Sequence, residues 1–279
     1  MPQSRITLIT LVAIFLVDAC FYSGSVHAQG RQDEVRGVCA LDCSELRGGM
    51  RQASIAFGTT TTRYRLDGAV LRLDKESLQL IVTDGIRLAV AQVRIASTGP
   101  RVLSPRSILI SNHGFNLIKE FLEGKSGSCT LSFSKSDLML TCDELVVRFP
   151  AANGRFPDWK KLLQPERTSN VNVKRDALVA ALIRSAPRAD SPDQWVGFRF
   201  SKGHLFLSAT NEERGVVKVP LTFEGELPTI YLDARYVIDF LRVLNNKEDV
   251  VSIAIQNATS PVLFSADGFR YVLMPLADD

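Results

Sequence analysis

The order of strand-like and helix-like segments in this chain is written twice. Val70-Leu71-Arg72-Leu73 aligns with Gly197-Phe198-Arg199-Phe200, and Leu80-Ile81-Val82-Thr83-Asp84 with Leu207-Ser208-Ala209-Thr210-Asn211. Asn116-Leu117-Ile118-Lys119-Glu120-Phe121-Leu122 aligns with Arg235-Tyr236-Val237-Ile238-Asp239-Phe240-Leu241. Self-similarity of this kind is the mark of duplication, so the fold must be assembled from two like units. Period-two stretches supply strands, and apolar residues spaced three and four apart supply helices. Each unit is therefore expected to be an α+β body, with antiparallel strands covering one side of two helices. At 279 residues, 46% of them hydrophobic and 23% charged, the chain has material for two domains of ordinary size.

In the first unit the pattern predicts a helix within 41–57, with Ser44 as its N-cap and Gly48-Gly49 as a weak point. Strands follow at 69–73, 78–83, 87–95 and 107–111, then a helix at 115–122 that stops near Gly124. A hairpin turning at Lys135-Ser136 places Cys129 opposite Cys142, Leu131 opposite Leu140 and Phe133 opposite Leu138, all on one apolar face. A further strand covers 145–149. The second unit repeats the programme: helix 174–186, strands 196–200, 205–210, 215–223 and 229–232, helix 235–244, and strands 250–256, 262–265 and 271–274. Between the units lies Gly154-Arg155-Phe156-Pro157-Asp158-Trp159, where Pro157 fixes its own φ and biases Phe156 away from helix, so the chain turns there.

At the N-terminus Arg5 precedes an apolar run, 6–17, and Val26-His27-Ala28 offers a small-x-small cleavage pattern. The segment reads as signal-like, or as an upstream extension that never meets the export machinery. The polar stretch that follows makes 1–37 a leader and linker, with domains expected at 38–165 and 166–279. The five cysteines complete no zinc pattern, because Cys39-x-x-x-Cys43 has no downstream Cys or His pair. Cys129 and Cys142 read as reduced core residues in a cytosolic protein, and as a disulfide only in an exported one.

Catalytic machinery is not written in the chain. It has no phosphate-cradling loop, no dinucleotide fingerprint and no nucleophile elbow, and His27, His113 and His204 are scattered. Asp84-Gly85 followed by Arg87 reads as a capped turn more readily than as an acid and its partner. A net charge of +3, from 33 basic and 30 acidic residues, would favour nucleic acid only if gathered on one face. Arg47 and Arg51 on the first helix, Lys119 on the second, Lys174 and Arg175 on the third and Arg235 on the fourth would form a cationic wall if all four helices faced the same way. Such a wall suits phosphates without base readout. Helices also carry solvated Lys and Arg as a matter of course, and Glu45, Glu120, Asp176 and Asp239 lie close by.

Three separated segments, Thr83-Asp84-Gly85-Ile86-Arg87-Leu88-Ala89, Gly154-Arg155-Phe156-Pro157-Asp158-Trp159 and Tyr271-Val272-Leu273-Met274-Pro275-Leu276, carry a family resemblance. In the same order they are similar to the Thr-Asp-Gly-His-Arg-Leu-Ala, Gly-Arg-Phe-Pro-Asp-Tyr and Tyr-Val-Val-Met-Pro-Met segments of the β sliding clamp family of bacterial DNA polymerase III. The resemblance runs from about Val38 to Leu276 and covers the second and third of the family's three domains. It implies the DNA-clamp fold and a non-enzymatic, cofactor-free cytoplasmic processivity factor of DNA replication. Such a protein encircles double-stranded DNA and tethers DNA polymerase III subunits, the clamp loader and other clamp-motif peptides. An exported α+β module reusing the fold is the alternative.

The family's partner-peptide pocket carries over to Leu66, Thr83, Gly85, Ile86, Arg87, Leu88, Pro157, Lys161, Leu162, Tyr236, Val272, Met274, Pro275 and Leu276, and its DNA contacts to Arg63, Tyr64 and Arg65. Ile86 stands where the family usually has His, and the tail ends Ala277-Asp278-Asp279, so peptide selectivity is expected to differ. With two clamp domains per chain, the usual six-domain ring would need three copies instead of two, making the protein a homo-oligomer.

Overall fold

Three of the helices begin where a strand runs into a residue able to cap them. In a computed structural model, which describes residues 37–58, 68–98, 105–163, 169–185, 194–209, 216–244 and 250–276, these caps are Asp42, Ser111 and Asp233. Asp42 accepts from the backbone N–H groups of Ser44 and Glu45, Ser111 from Gly114 and Asp233 from Arg235. Each cap satisfies N–H groups that the first turn of a helix leaves without partners.

The first half runs β1 (Gly37–Asp42), α1 (Cys43–Ser54), β2 (Gly68–Leu73), β3 (Ser77–Thr83), β4 (Arg87–Arg94), β5 (Ser97–Thr98), β6 (Arg106–Ser111), α2 (Asn112–Phe121), β7 (Ser128–Phe133), β8 (Asp137–Cys142) and β9 (Leu145–Pro150). A 3-10 turn at Lys160–Leu163 leads to the second half. That half runs β10 (Ser169–Lys174), α3 (Arg175–Ser185), β11 (Trp195–Ser201), β12 (His204–Ser208), β13 (Val217–Pro220), β14 (Ile230–Asp233), α4 (Ala234–Val243), β15 (Val250–Ile255), β16 (Val262–Ala266) and β17 (Phe269–Leu273).

The duplication is visible in the sheets. The order β4-β3-β2-β6 in the first half recurs as β13-β12-β11-β14 in the second, and β1-β7-β8-β9 recurs as β10-β15-β16-β17. The hairpin register read from the sequence holds: Cys129 lies opposite Cys142, Leu131 opposite Leu140 and Phe133 opposite Leu138. Even the turns correspond, since Asp143 before β9 and Asp267 before β17 both adopt positive φ, 54° and 32°.

Two expectations are corrected. Residues ahead of α1 form strand β1, with Gly37, Cys39 and Leu41 buried in alternation, so the cap is Asp42 and Ser44 lies inside the helix. Gly48-Gly49 does not interrupt α1. A Cβ on Gly49 would meet the Val93 side chain at 2.4 Å, so this glycine is what lets the helix approach β4 closely. Beyond the repeated units, the two halves also share a sheet. β17 pairs antiparallel with β4, from Phe269 opposite Ala91 to Leu273 opposite Arg87, fusing the order β10-β15-β16-β17-β4-β3-β2-β6 into one eight-stranded sheet.

The helices pack against one face of the sheets and touch in the sequence α2, α1, α4, α3. Their core is continuous across both halves and includes the fully buried Phe240, whose ring lies 5.4 to 5.6 Å from those of Phe264, Phe269 and Tyr271. The opposite face of the eight-stranded sheet carries a second, smaller apolar cluster. It comprises Val70, Ile81, Leu88, Val90, Leu163, Ala254, Leu263 and Val272, with Phe156 and Trp159 packed on it. This smaller cluster positions the site. Among the described residues no helix is long and apolar enough to cross a membrane.

Candidate functional site

The turn between β3 and β4 is held by its own side chains. Thr83 Oγ1 donates to the Arg87 carbonyl at 2.7 Å and accepts from the Gly85 N–H at 3.1 Å. Asp84 Oδ1 accepts from the Ile86 and Arg87 N–H groups, both at 3.0 Å. Gly85 sits at φ 91°, a conformation that glycine adopts without strain. The result is a stiff turn that holds the Ile86 side chain outward, 44% exposed.

Arg87 anchors this turn to the rest of the molecule. Its Nε donates to Asp84 Oδ2 at 3.0 Å, its Nη2 donates to the Phe57 carbonyl at 3.1 Å, and its Nη1 lies 3.7 Å from Asp239 on α4. The guanidinium also stacks over the Tyr236 ring at 4.1 Å. Burial opposes its charge, but Tyr271 and Asp84 hold its pKa above the usual value. Burial likewise pushes the Tyr271 phenol up. The Tyr271 hydroxyl has no partner within hydrogen-bond geometry, and Arg87 acts on it through charge. The resemblance places Arg87 in the peptide pocket. Its side chain is only 7% exposed, and Asp84, Phe57 and Asp239 surround its nitrogens.

The C-terminal segment crosses beside this turn. The Met274 N–H donates to the Ile86 carbonyl and the Leu276 N–H to the Tyr231 carbonyl, each at 2.9 Å. These bonds pin the segment between the turn and β14. Across from it, the Leu162 N–H donates to the Trp159 carbonyl at 3.2 Å, closing the 3-10 turn. Leu88 and Val272 face one another across the β4–β17 pair and are buried, as is Leu163. Around this floor stand Ile86, Leu162, Met274 and Leu276, each 39–44% exposed. These are four of the eight exposed large hydrophobic side chains among the described residues. Pro157 and Lys161 are exposed, and Tyr236 and Pro275 half-buried. Chemically the arrangement offers apolar rims over a buried apolar floor, which suits capture of apolar side chains.

Of the pocket residues expected from the sequence, Leu66 lies outside the described residues, as do Arg63, Tyr64 and Arg65. Trp159 and Leu163 were missed as supports of the cleft. Trp159 was legible, being the aromatic end of the Gly154–Trp159 segment.

The expected cationic wall divides into two kinds of residue. Arg47 Nη1 donates to the Leu122 and Lys125 carbonyls at 2.7 and 3.0 Å, closing the end of α2. Arg175 Nε does the equivalent in the second half, donating to the Leu241 carbonyl of α4 at 3.1 Å. Both are half-buried ties between helices, so Arg47 does not share the exposed side of Arg51. Arg235 is exposed but grips Asp233 at 2.6 Å. Lys174 ends β10 and is not on a helix. Arg51 and Lys174 are exposed and Lys119 is half-buried.

Comparison with known proteins adds the following. The family model for the DNA polymerase III beta subunit, central domain, matches residues 40–158, and that for its C-terminal domain matches residues 160–277. A beta sliding clamp from Vibrio cholerae is 25% identical over 277 residues, which is 98% of this chain and 72% of that protein. One from Escherichia coli K12 is 24% identical over 223 residues, 77% of this chain and 58% of that protein. The chain thus spans roughly two thirds of the length of such relatives, 65% for the Pseudomonas putida clamp. Among solved structures, the DNA polymerase sliding clamp from Pseudomonas aeruginosa superposes with a TM-score of 0.76 at 22% identity, covering 88% of this chain and 68% of that one. The clamp from Bacillus subtilis gives 0.75 at 17%, covering 91% and 67%. The α+β architecture described above is therefore the sliding-clamp fold.

Proposed function

This chain belongs to the DNA polymerase III beta-subunit family, and on that premise we propose that it is a DNA sliding clamp. It holds to duplex DNA through its helix face and tethers polymerase III subunits, the clamp loader and other peptide-bearing partners through the cleft. The role is non-catalytic and cytoplasmic, that of a processivity factor in DNA replication. Family membership favours this over an exported binding module.

The observation that carries the reading is the convergence of Ile86, Leu162, Met274 and Leu276 on a buried floor at the junction of the two halves. A groove of that composition takes the apolar side chains of a short peptide, and a methionine at its rim adapts to different ones. DNA contact is assigned to Arg51, Lys119 and Lys174, with Arg47, Arg175 and Arg235 contributing field more than direct contact, and with Arg63, Tyr64 and Arg65 carried over from the family. Association of copies is supported by the sheet edges. β9, the counterpart of β17, ends its sheet with Leu145 and Val146 46% and 62% exposed, and β13, the counterpart of β4, ends another. An unpaired apolar edge is a template for strand addition.

Anisotropy of a labelled peptide carrying Leu and Phe anchors, with and without unlabelled competitor, tests the cleft. Saturable binding supports it, and no binding at high micromolar protein overturns it. Light scattering after size separation tests association: a concentration-independent monomer would exclude a ring made from this chain alone.

A further inference from the structure

Alongside the cleft, the same sheet face holds a recess of about 270 Å³ bordered by Arg72, Asp74, Gln79, Trp159, Lys160 and Arg270. Its placement follows from the strand registers. Arg72 lies opposite Gln79, Val70 opposite Ile81, Ile81 opposite Val90, and Val90 opposite Arg270. Because side chains two apart on a strand share a face, Arg72, Gln79 and Arg270 emerge beside the apolar floor made by Val70, Ile81 and Val90. Two residues further along β17, on that same face, is Val272 in the floor of the cleft. The recess and the cleft floor are thus separated by about 7 Å, two residues of extended chain.

The polar atoms of this recess are incompletely matched. Arg72 Nε and Gln79 Oε1 are buried and have no hydrogen-bond partner. The carboxylate beside Arg72, that of Asp74, stands 3.4 Å away and is 37% exposed. Arg270 is half-buried, and no carboxylate among the described residues pairs with it. Burial lowers its pKa with nothing to oppose the shift. Three cations, Arg72, Lys160 and Arg270, therefore border a concave space with one carboxylate. Buried donors and charges left in this state cost stability unless a ligand completes them. A planar carboxylate suits paired guanidinium groups, and rotation of the Gln79 amide turns its N–H donors toward such a ligand.

We propose that the recess is an anion subsite that receives a carboxylate of the same partner peptide whose apolar side chains fill the cleft. The inference rests on the cleft reading and extends it: partners with Asp, Glu or a terminal carboxylate about two residues beyond an apolar anchor are selected over neutral ones. Free phosphate shares the chemistry, but it lacks the apolar anchor that holds a peptide within reach.

Two labelled peptides with one Leu-Leu-Phe anchor, flanked on both sides by Asp pairs or by Asn pairs, provide the test by anisotropy at fixed ionic strength. The Asp peptide is expected to bind about tenfold more tightly, the scale of a charge-assisted hydrogen bond. That advantage should vanish in Arg72→Gln/Arg270→Gln, while the affinity for the Asn peptide stays unchanged. Inorganic phosphate should erode the Asp advantage in the native protein without displacing the Asn peptide. Thermal melts establish that the variant is folded, and Arg270→Gln alone serves if the double variant is not. Equal affinity of the two peptides for the native protein, or an Asp advantage that survives both substitutions, overturns the anion subsite and leaves the cleft standing. If neither peptide binds, the cleft reading falls and this one with it.

Discussion

The guanidinium of Arg87 lies 4.1 Å from the ring centroid of Tyr236, so a residue at the start of a first-half strand is clamped by a second-half helix. The contact belongs to a set: Asp84 pairs with Arg87 inside the turn, and Asp239 reaches it from the next turn of α4. A buried cation so held is costly to remove, because its partners stay behind. Arg87→Ala is expected to lower unfolding stability by about 3 kcal/mol. Arg87→Lys should recover little of that, since an ammonium cannot both fork to Asp84 and stack on a ring. Urea denaturation of the two variants checks this.

The cleft should be separable from the core. Leu162→Ala with Met274→Ala trims two side chains that are 39% and 40% exposed, so the melting temperature should move little. Peptide affinity should fall at least about tenfold, as for loss of packed anchors at an interface. Leu88→Ala is a different experiment, because Leu88 is 2% exposed and its truncation should cost about 2–5 kcal/mol of stability. Anisotropy and melting curves run side by side distinguish the two outcomes.

On DNA, Lys119→Ala and Lys174→Ala should each weaken binding uniformly across duplex sequences. Each should also reduce the slope of log affinity against log salt by about one unit. Arg47→Ala and Arg175→Ala should act first on stability, since each leaves helix-end carbonyls without their donor. Filter binding over a salt series, with calorimetry, separates these classes.

Asp239 makes the stability pH-dependent. Burial raises its carboxyl above the ordinary 3.8, with Arg87 and Arg242 pulling the other way. A carboxyl with a raised pKa binds its proton more readily in the folded chain. Its contribution is therefore fully present below pH 3.8 and lost as pH rises through the folded value. The melting temperature of the native protein relative to Asp239→Asn should climb as the medium is acidified through that window. A constant difference would refute the assignment.

How the chain is built was legible where chemistry is local and periodic. The alternation in 129–133 and 138–142 settled the hairpin and its register, because a slip of one residue would turn Leu131, Leu140 and Phe133 out of the core. The two helices Asn112–Phe121 and Ala234–Val243 were readable from their apolar stripes. β1 and β10 were not read as strands, since each runs directly into the helix that follows it and its apolar residues merge with that helix's pattern.

The duplication, most of the strands and helices, and the three clamp-like segments are thus written along the chain. Where those segments meet is set by long-range pairing. The pairing of β17 with β4 joins residues nearly two hundred positions apart, and no local pattern encodes which edges meet. That junction sets Leu88 opposite Val272, puts Arg87 beside a second-half helix, and brings Arg72 and Arg270 to one recess. Identical side chains thus acquire different roles according to which partners and how much water surround them, and those are properties of packing.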